Sequence, residues 1–174
     1  MVLYHFGGAK MKFYIRPKHF ARYRSFKIRD ESQGELFKIK GKFLLGMRSL
    51  TMKDMNGQVL YIAKKRPTFS FNRTYDILNE KGEAIAKIIR GFGVIRPKYT
   101  MFLNETKYHF EGTVHQHAFS IFNETTELAK IKKGNFDFGD AFEVEVFSEK
   151  GPLVHLFLVV VIDQLNHERK KFNV

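Results

Sequence analysis

The chain has 174 residues, of which 44% are hydrophobic and 28% charged, a composition that suits one soluble domain with its own core. It contains no cysteine, which excludes disulfides, thiolate metal sites, cysteine nucleophiles and S-acylation. Thirty Lys and Arg residues against eighteen Asp and Glu give a net charge of +12, which favours polyanionic partners such as nucleic acid, anionic lipid or phosphorylated ligands. The first residues lack the apolar region of a signal peptide, and the absence of cysteine fits a reducing compartment, so we expect a cytoplasmic protein.

Strand-like sequence begins at Met11, directly after a short segment without a clear pattern. We interpret residues 1–10 as a flexible leader and residues 11–174 as a single domain. No long Pro- or Ser-rich linker divides the rest of the chain.

A hairpin signature recurs along the chain, in which Asp or Asn opens a short polar turn and a β-rich run follows. Asp, Asn and Gly provide the backbone conformations that a tight hairpin requires. The copies are "DESQGELFKIK" (30–40), "DMNGQVLYIAK" (54–64), "NEKGEAIAKII" (79–89), "NETTELAKIK" (123–132) and a weaker "NETKYHFEG" (104–112).

Apolar and polar residues alternate in the runs beside these turns, as they do when one face of a strand is buried. Phe142, Val144 and Val146, for example, alternate with Glu143 and Glu145. The pattern predicts about ten to twelve antiparallel strands. A solenoid is an alternative at a spacing of about 25 residues, but the copies are too degenerate to favour it.

The most apolar stretch runs from Leu153 to Ile162, with His155 as its one polar residue. It is shorter than the roughly 20 residues that a membrane span requires. Pro152 suits a first helical turn, and a helix that is apolar on every face is usually buried on every side. We therefore predict a core helix over about residues 152–169; an interfacial anchor and a membrane span are the weaker alternatives.

An antiparallel sheet must protect its edges and bury one face, and closure into a barrel achieves both. The interior of a barrel of about twelve strands is too wide for its own side chains to fill. The sequence therefore predicts a mainly β fold, an antiparallel closed β-barrel of about twelve strands around the hydrophobic C-terminal helix.

The order of these segments resembles the LURP-one-related family, part of the Tubby C-terminal-like group with the Tubby domain and the phospholipid scramblases. The resemblance covers about residues 12–171 and rests on four segments: the segment at 26–65, "YDILNEKGEAIAKI", "FGDAFEVEV" and the helix with "VVVIDQL". It implies a twelve-stranded barrel around a central helix, and it suggests phosphoinositide or lipid binding. The scramblase lipidation cysteines are absent.

Basic clusters are the candidate anion- or lipid-binding residues, because lysine and arginine bind phosphate and residues two apart on a strand share a face. A solvated barrel exterior is the alternative interpretation of these clusters. The candidates are Arg22, Arg24, Lys64, Lys65, Arg66, Arg90, Arg96 and Lys98.

Two other clusters have the residue types of a metal site without its usual pattern. His109, Glu111, His115 and His117 form the first; Asp137, Asp140, Glu143 and Glu145 form the second, which lacks the EF-hand spacing. We expect no metal and no cofactor. His155, Asp163 and His167 lie near one helical stripe, and we expect a structural role, with Asp163 near the barrel mouth and paired.

No phosphate-binding glycine loop and no nucleophile elbow is present, so we expect a protein that is not an enzyme. The first functional hypothesis is binding of an anionic phospholipid headgroup or membrane surface. The alternative is a nucleic-acid-binding or protein-interaction module, in which Tyr23, Phe26 and Tyr99 would stack on bases. A ligand carrier or enzyme is less favoured, because the helix fills the barrel.

Overall fold

The computed structural model describes residues 10–18, 25–44, 47–67, 73–91, 99–113, 118–136, 139–147 and 152–170. This part of the chain forms twelve strands followed by one helix. The elements are β1 (Met11–Lys18), β2 (Ser25–Arg29), β3 (Glu35–Leu44), β4 (Met47–Asp54), β5 (Val59–Lys65), β6 (Arg73–Leu78), β7 (Ala84–Arg90), β8 (Tyr99–Leu103), β9 (Thr106–Thr113), β10 (Ala118–Asn123), β11 (Thr126–Phe136), β12 (Gly139–Val146) and α1 (Pro152–Lys170).

The strands form one closed barrel in which each strand pairs with its sequence neighbour, and β1 pairs with β12 to close the sheet. Every pairing is antiparallel, as short hairpin connections require. The predicted fold class, a closed antiparallel barrel with a C-terminal helix, is confirmed.

The recurring Asp or Asn opens a turn at one end of the barrel, which we call the turn end. Asp30 accepts a hydrogen bond from the backbone N–H of Gly34, Asp54 from that of Gln58 (2.8 Å), and the Asn79 side chain from two N–H groups of its own turn. Each of these three hairpins also has a register shift beside its turn, so one extra residue enters the ladder.

The core consists of the inward side chains of the strands packed around α1. The seven residues Leu156 to Ile162 are each 0% exposed, so all faces of this part of the helix are covered. The predicted alternation in β12 is confirmed, with Phe142, Val144 and Val146 buried and the two glutamates between them facing outward.

The helix enters the barrel at the turn end, because it follows β12, whose last residue lies there. His155 lies beside Tyr108 and Phe157 stacks on Tyr61, and both tyrosines are near the turn-end start of their strands. Asp163 is eight residues beyond His155, about 12 Å further along the axis, toward the opposite end. Within the described residues, no helix has the length and hydropathy for a membrane span.

Gly112 lies where β9 leaves no room for a side chain beside β10. It has φ +102°, and a Cβ atom on it would lie 2.6 Å from the carbonyl oxygen of Ala118 on β10. Both the backbone conformation and the space therefore require glycine at this position.

We expect Gly112→Ala to lower the free energy of unfolding by about 2–4 kcal/mol, because it adds a steric clash to an unfavourable φ. Gly57→Ala is the matched control: Gly57 also has a positive φ, +88°, but nothing lies within 4 Å of its added Cβ. Urea unfolding of both variants measures the difference. Equal losses would mean that β9 and β10 separate readily at Gly112.

Candidate anion-binding surface

The barrel register aligns cationic side chains across four neighbouring strands. One residue from each of β1, β2, β3 and β4 lies directly beside the next, in the order Arg16, Lys27, Lys38 and Lys53. Neighbouring strands are about 4.8 Å apart, so the row is about 14 Å long. We call these four residues the lysine ladder.

Further cations surround the ladder on the same outward surface. On β3, Lys38, Lys40 and Lys42 are spaced two apart and share one face, because successive side chains of a strand alternate. Hydroxyl groups lie among them: Thr51 is paired with Lys40, and Ser49 lies between Lys42 and Lys64. The lysine face consists of the ladder together with Arg29, Lys40, Lys42 and Lys64.

Few negative charges balance this surface. The acids among the described residues of β2 to β5 are Glu35 and the buried Asp54. Glu35 forms ion pairs with Lys27 and with Arg29 (3.1 Å), and its hydrogen bond from Lys27 holds the pKa of the Glu35 carboxyl below its usual value. Lys38 and Lys53 have no such partner among the described residues, although like charges placed directly opposite each other destabilise a sheet.

The adjoining surface of β12 has the opposite arrangement. Glu145 lies between Lys12 of β1 and Lys130 of β11, and Glu143 lies opposite Lys132. Lys12 is 3.8 Å from each glutamate. Charges on neighbouring strands therefore alternate in sign around β12, whereas the four charges of the lysine ladder, on β1 to β4, are all positive.

The predicted cluster around residues 64–66 does not form one surface. Lys64 is exposed and belongs to the lysine face, whereas Lys65 is on the opposite, inward register of β5. Arg66 follows the strand and binds Asp76, and this hydrogen bond raises the pKa of Arg66.

Arg90 was grouped with the surface candidates, but its side chain is 8% exposed and follows Ala86 and Ile88 on the buried parity of β7. It is therefore separate from the lysine face. The remaining candidates, Arg22, Arg24, Arg96 and Lys98, lie outside the described residues.

The two clusters with metal-binding residue types are only partly described. His109 Nε2 lies 3.5 Å from Glu111 Oε1, and the His109 ring stacks on Phe122. Glu143 and Glu145 of β12 adjoin the lysines of β1 and β11. His115, His117 and Asp137 lie outside the described residues, as does the side chain of Asp140; among the described side chains no three potential ligands converge.

Two polar residues of α1, His155 and Asp163, are deeply buried. His155 is 1% exposed, and neither ring nitrogen has a hydrogen-bond partner. Burial lowers the pKa of His155 to about 4, so the imidazole is neutral at physiological pH. Asp163 is 2% exposed and has an interaction of its own. The side chain of His167 is not among those that the structure describes.

Lys64 is the candidate binding residue from the sequence that belongs to the lysine face, and the lysines of β2, β3 and β4 are not among those candidates. The signal for part of the face is present in "FKIKGK", where lysines recur at every second position. The alignment of β3 with its neighbours depends on register, which the pattern of one strand does not contain.

These features define a class of protein: a closed twelve-stranded antiparallel barrel around a buried C-terminal helix. The model of the LURP-one-related family matches residues 11–163, and the chain belongs to this family.

Two further comparisons extend over most of the chain. The uncharacterized protein YxjI of Bacillus subtilis (strain 168) is 20% identical over 155 residues, which cover 89% of this chain and 93% of that protein. The X-ray structure of a protein from Arabidopsis thaliana superposes with a TM-score of 0.66 at 16% identity, over 90% of this chain and 91% of that one. The second likeness supports the fold alone.

We expect Lys38→Glu to stabilise the protein by about 0.5–1 kcal/mol at low salt, because a carboxylate would then lie between Lys27 and Lys53. High salt should remove most of the gain by screening. Lys107→Glu, which makes the same charge change beside Phe102 on β8, is the control for net charge. Equal effects of the two substitutions in denaturant unfolding would contradict the unfavourable ladder.

We expect acid to destabilise the wild-type protein through His155. Between pH 6.5 and 4 the unfolded chain binds a proton that the folded chain does not, so stability falls as pH falls, by up to about 3 kcal/mol. His155→Leu should remove this loss, and it should also raise stability at pH 7, because it removes unpaired polar atoms from the core. Urea unfolding as a function of pH measures both effects.

Phe157→Leu is the matched control, since it changes a buried apolar side chain of the same helix and leaves His155 in place, so the acid limb should remain. If His155→Leu had the same acid limb as the wild type, a different group would be responsible for the sensitivity.

Proposed function

We propose that this protein is a non-catalytic domain that binds anionic phospholipid surfaces through its lysine face, in the cytoplasm at the membrane periphery. The observation that carries the proposal is the lysine ladder, a row of adjacent like charges on the outside of the barrel. An anionic surface would supply the negative charge that the fold itself does not place beside Lys38 and Lys53.

The comparison with β12 supports a functional origin for the ladder. In the same barrel, lysines of β1 and β11 adjoin glutamates of β12, so the sequence does balance charges across strands elsewhere. A solvated exterior has no need of adjacent like charges, which reduce stability. Retention of a destabilising arrangement is typical of a binding surface.

The chemistry of the face favours a lipid surface. Lysine has a compact charge on a flexible stem, which can adjust to phosphates that move in the plane of a bilayer. Each Lys or Arg close to an anionic membrane contributes about 1 kcal/mol. The hydroxyl groups of Ser49, between Lys42 and Lys64, and of Thr51, beside Lys40, add hydrogen-bond donors for phosphate oxygens.

Binding of single-stranded nucleic acid has less support, because it depends on aromatic side chains that stack on bases. Phe26 and Tyr99, two of the aromatic candidates, are 1% and 9% exposed and belong to the core. Tyr23, the third, lies outside the described residues. The outward positions of β2 to β5 contain lysine, arginine, glutamate, serine, threonine and aliphatic residues, without an aromatic residue in the described part.

We expect Lys38→Gln/Lys40→Gln/Lys53→Gln to weaken binding to anionic vesicles by about a hundredfold, because three cations are lost from the contact. The measurement is co-sedimentation with phosphatidylcholine vesicles that contain phosphatidylserine or a phosphoinositide, at low salt and at about 0.15 M salt. Pure phosphatidylcholine vesicles are the reference.

The matched control is Lys81→Gln/Lys107→Gln/Lys130→Gln, whose exposed lysines lie away from the lysine face and whose net charge is the same. This variant should bind nearly as well as the wild type. Equal weakening in both variants would mean that net charge, and not the lysine face, determines binding. Preferential binding of oligonucleotides at matched salt would indicate that the anionic partner is nucleic acid.

A further inference from the structure

A second cationic feature lies inside the barrel, at the end opposite the turn end. Arg90 is the last residue of β7 and is 8% exposed, on the inward register that follows Ile88. Its Nε atom is buried and has no hydrogen-bond partner. A guanidinium group in this position is costly to bury unless an anion accompanies it.

Other cations adjoin Arg90 at the same end. Arg73, the first residue of β6, is its direct cross-strand partner. Lys65 is the last residue of β5 and lies opposite Tyr75, one inward position from Arg73. We call Lys65, Arg73 and Arg90 the inner basic cluster, because the strand register brings them together on one side of the barrel wall. Lys65 and Arg73 also have interactions of their own, so the need for an anion depends on Arg90.

The neighbouring protein groups do not supply an evident counter-charge for Arg90. Its other cross-strand partner, on β8, is Tyr99. Asp163 of α1 is buried and has an interaction of its own. The C-terminal carbonyl groups of α1 carry partial negative charge, and they are a competing protein partner that the test must exclude.

We propose that the inner basic cluster binds one phosphate group, with Arg90 as its principal ligand. A phosphate ester or free phosphate carries nearly two negative charges at neutral pH and several acceptor oxygens, which suits two adjacent guanidinium groups better than a monocarboxylate does. The phosphate belongs either to a small soluble molecule or to a lipid headgroup. This site is distinct from the lysine face, which is on the outside of the barrel.

The test is thermal unfolding of the full chain in increasing inorganic phosphate, against chloride at equal ionic strength and against acetate. We expect the wild-type Tm to rise by about 5–10 °C once phosphate exceeds its dissociation constant about a hundredfold, and acetate to have little effect. Arg90→Met should abolish the rise. In phosphate-free buffer it should unfold at a higher temperature than the wild type, because it removes an unpaired buried charge.

Arg90→Lys provides a second variant that keeps the charge but loses the two-pronged donor geometry, and we expect about tenfold weaker phosphate binding. If Arg90→Met does not fold, this variant decides. Lys107→Gln, which removes an exposed charge from β9, should respond to phosphate as the wild type does.

Several results would overturn the proposal. One is a wild-type Tm that responds equally to phosphate, acetate and chloride, together with binding to phosphatidic acid vesicles that is absent or that Arg90→Met leaves unchanged. Another is an Arg90→Met variant that is less stable than the wild type at every phosphate concentration and keeps the phosphate response, which would assign Arg90 to the end of α1.

The source of the phosphate follows from a parallel measurement with phosphatidic acid vesicles. Loss of vesicle binding in Arg90→Met without any wild-type response to inorganic phosphate would identify a lipid headgroup, whereas a response to inorganic phosphate alone would identify a soluble ligand. The triple lysine-face variant should keep its Tm response to phosphate, so the outcomes for the two surfaces are separable.

Discussion

Filling the interior of a twelve-stranded barrel is the constraint on which the rest of this structure depends. A barrel of this size is too wide for its own inward side chains to close, and an empty interior would forfeit the contacts that stabilise a core. Helix α1 solves the problem because its middle residues, from Leu156 to Ile162, are apolar on all sides. The same residues that would suggest a membrane segment are therefore the centre of the hydrophobic core.

The inward side chains of the strands pack against the helix, so the charged side chains occupy mainly the outward positions. The outward positions are used in two different ways: alternating signs around β12, and adjacent cations across β1 to β4. Packing does not explain the difference, because both surfaces cover the same core. The difference in charge pattern is the reason for assigning binding to the lysine face and a structural role to the ion pairs of β12.

The fold could be predicted from the sequence because its main determinants are local. Asp30, Asp54 and Asn79 open their turns through side-chain hydrogen bonds to residues four positions on or fewer, and the apolar run of α1 is continuous. The lysine ladder is not local. Its alignment depends on the pairing of four strands and on the register shift beside Arg29, which no single segment encodes.

The position of Arg90 was open to prediction and was nevertheless missed. Arg90 shares the parity of Ala86 and Ile88, so the alternation of β7 predicts that its side chain faces inward. The basic residues that follow in the sequence instead suggest a surface position.

The two cationic regions differ in how water and salt act on them, and this difference assigns them different tasks. Lys40, Lys42 and Lys53 are exposed, so salt screens their attraction for an anionic surface and the attraction is of low selectivity. Arg90 is almost completely removed from water, so an anion that reaches it interacts strongly, but only if its charge and shape match the surrounding donors. The lysine face is therefore suited to bring the protein to a negatively charged surface, and the inner basic cluster to discriminate one phosphate-bearing ligand from another.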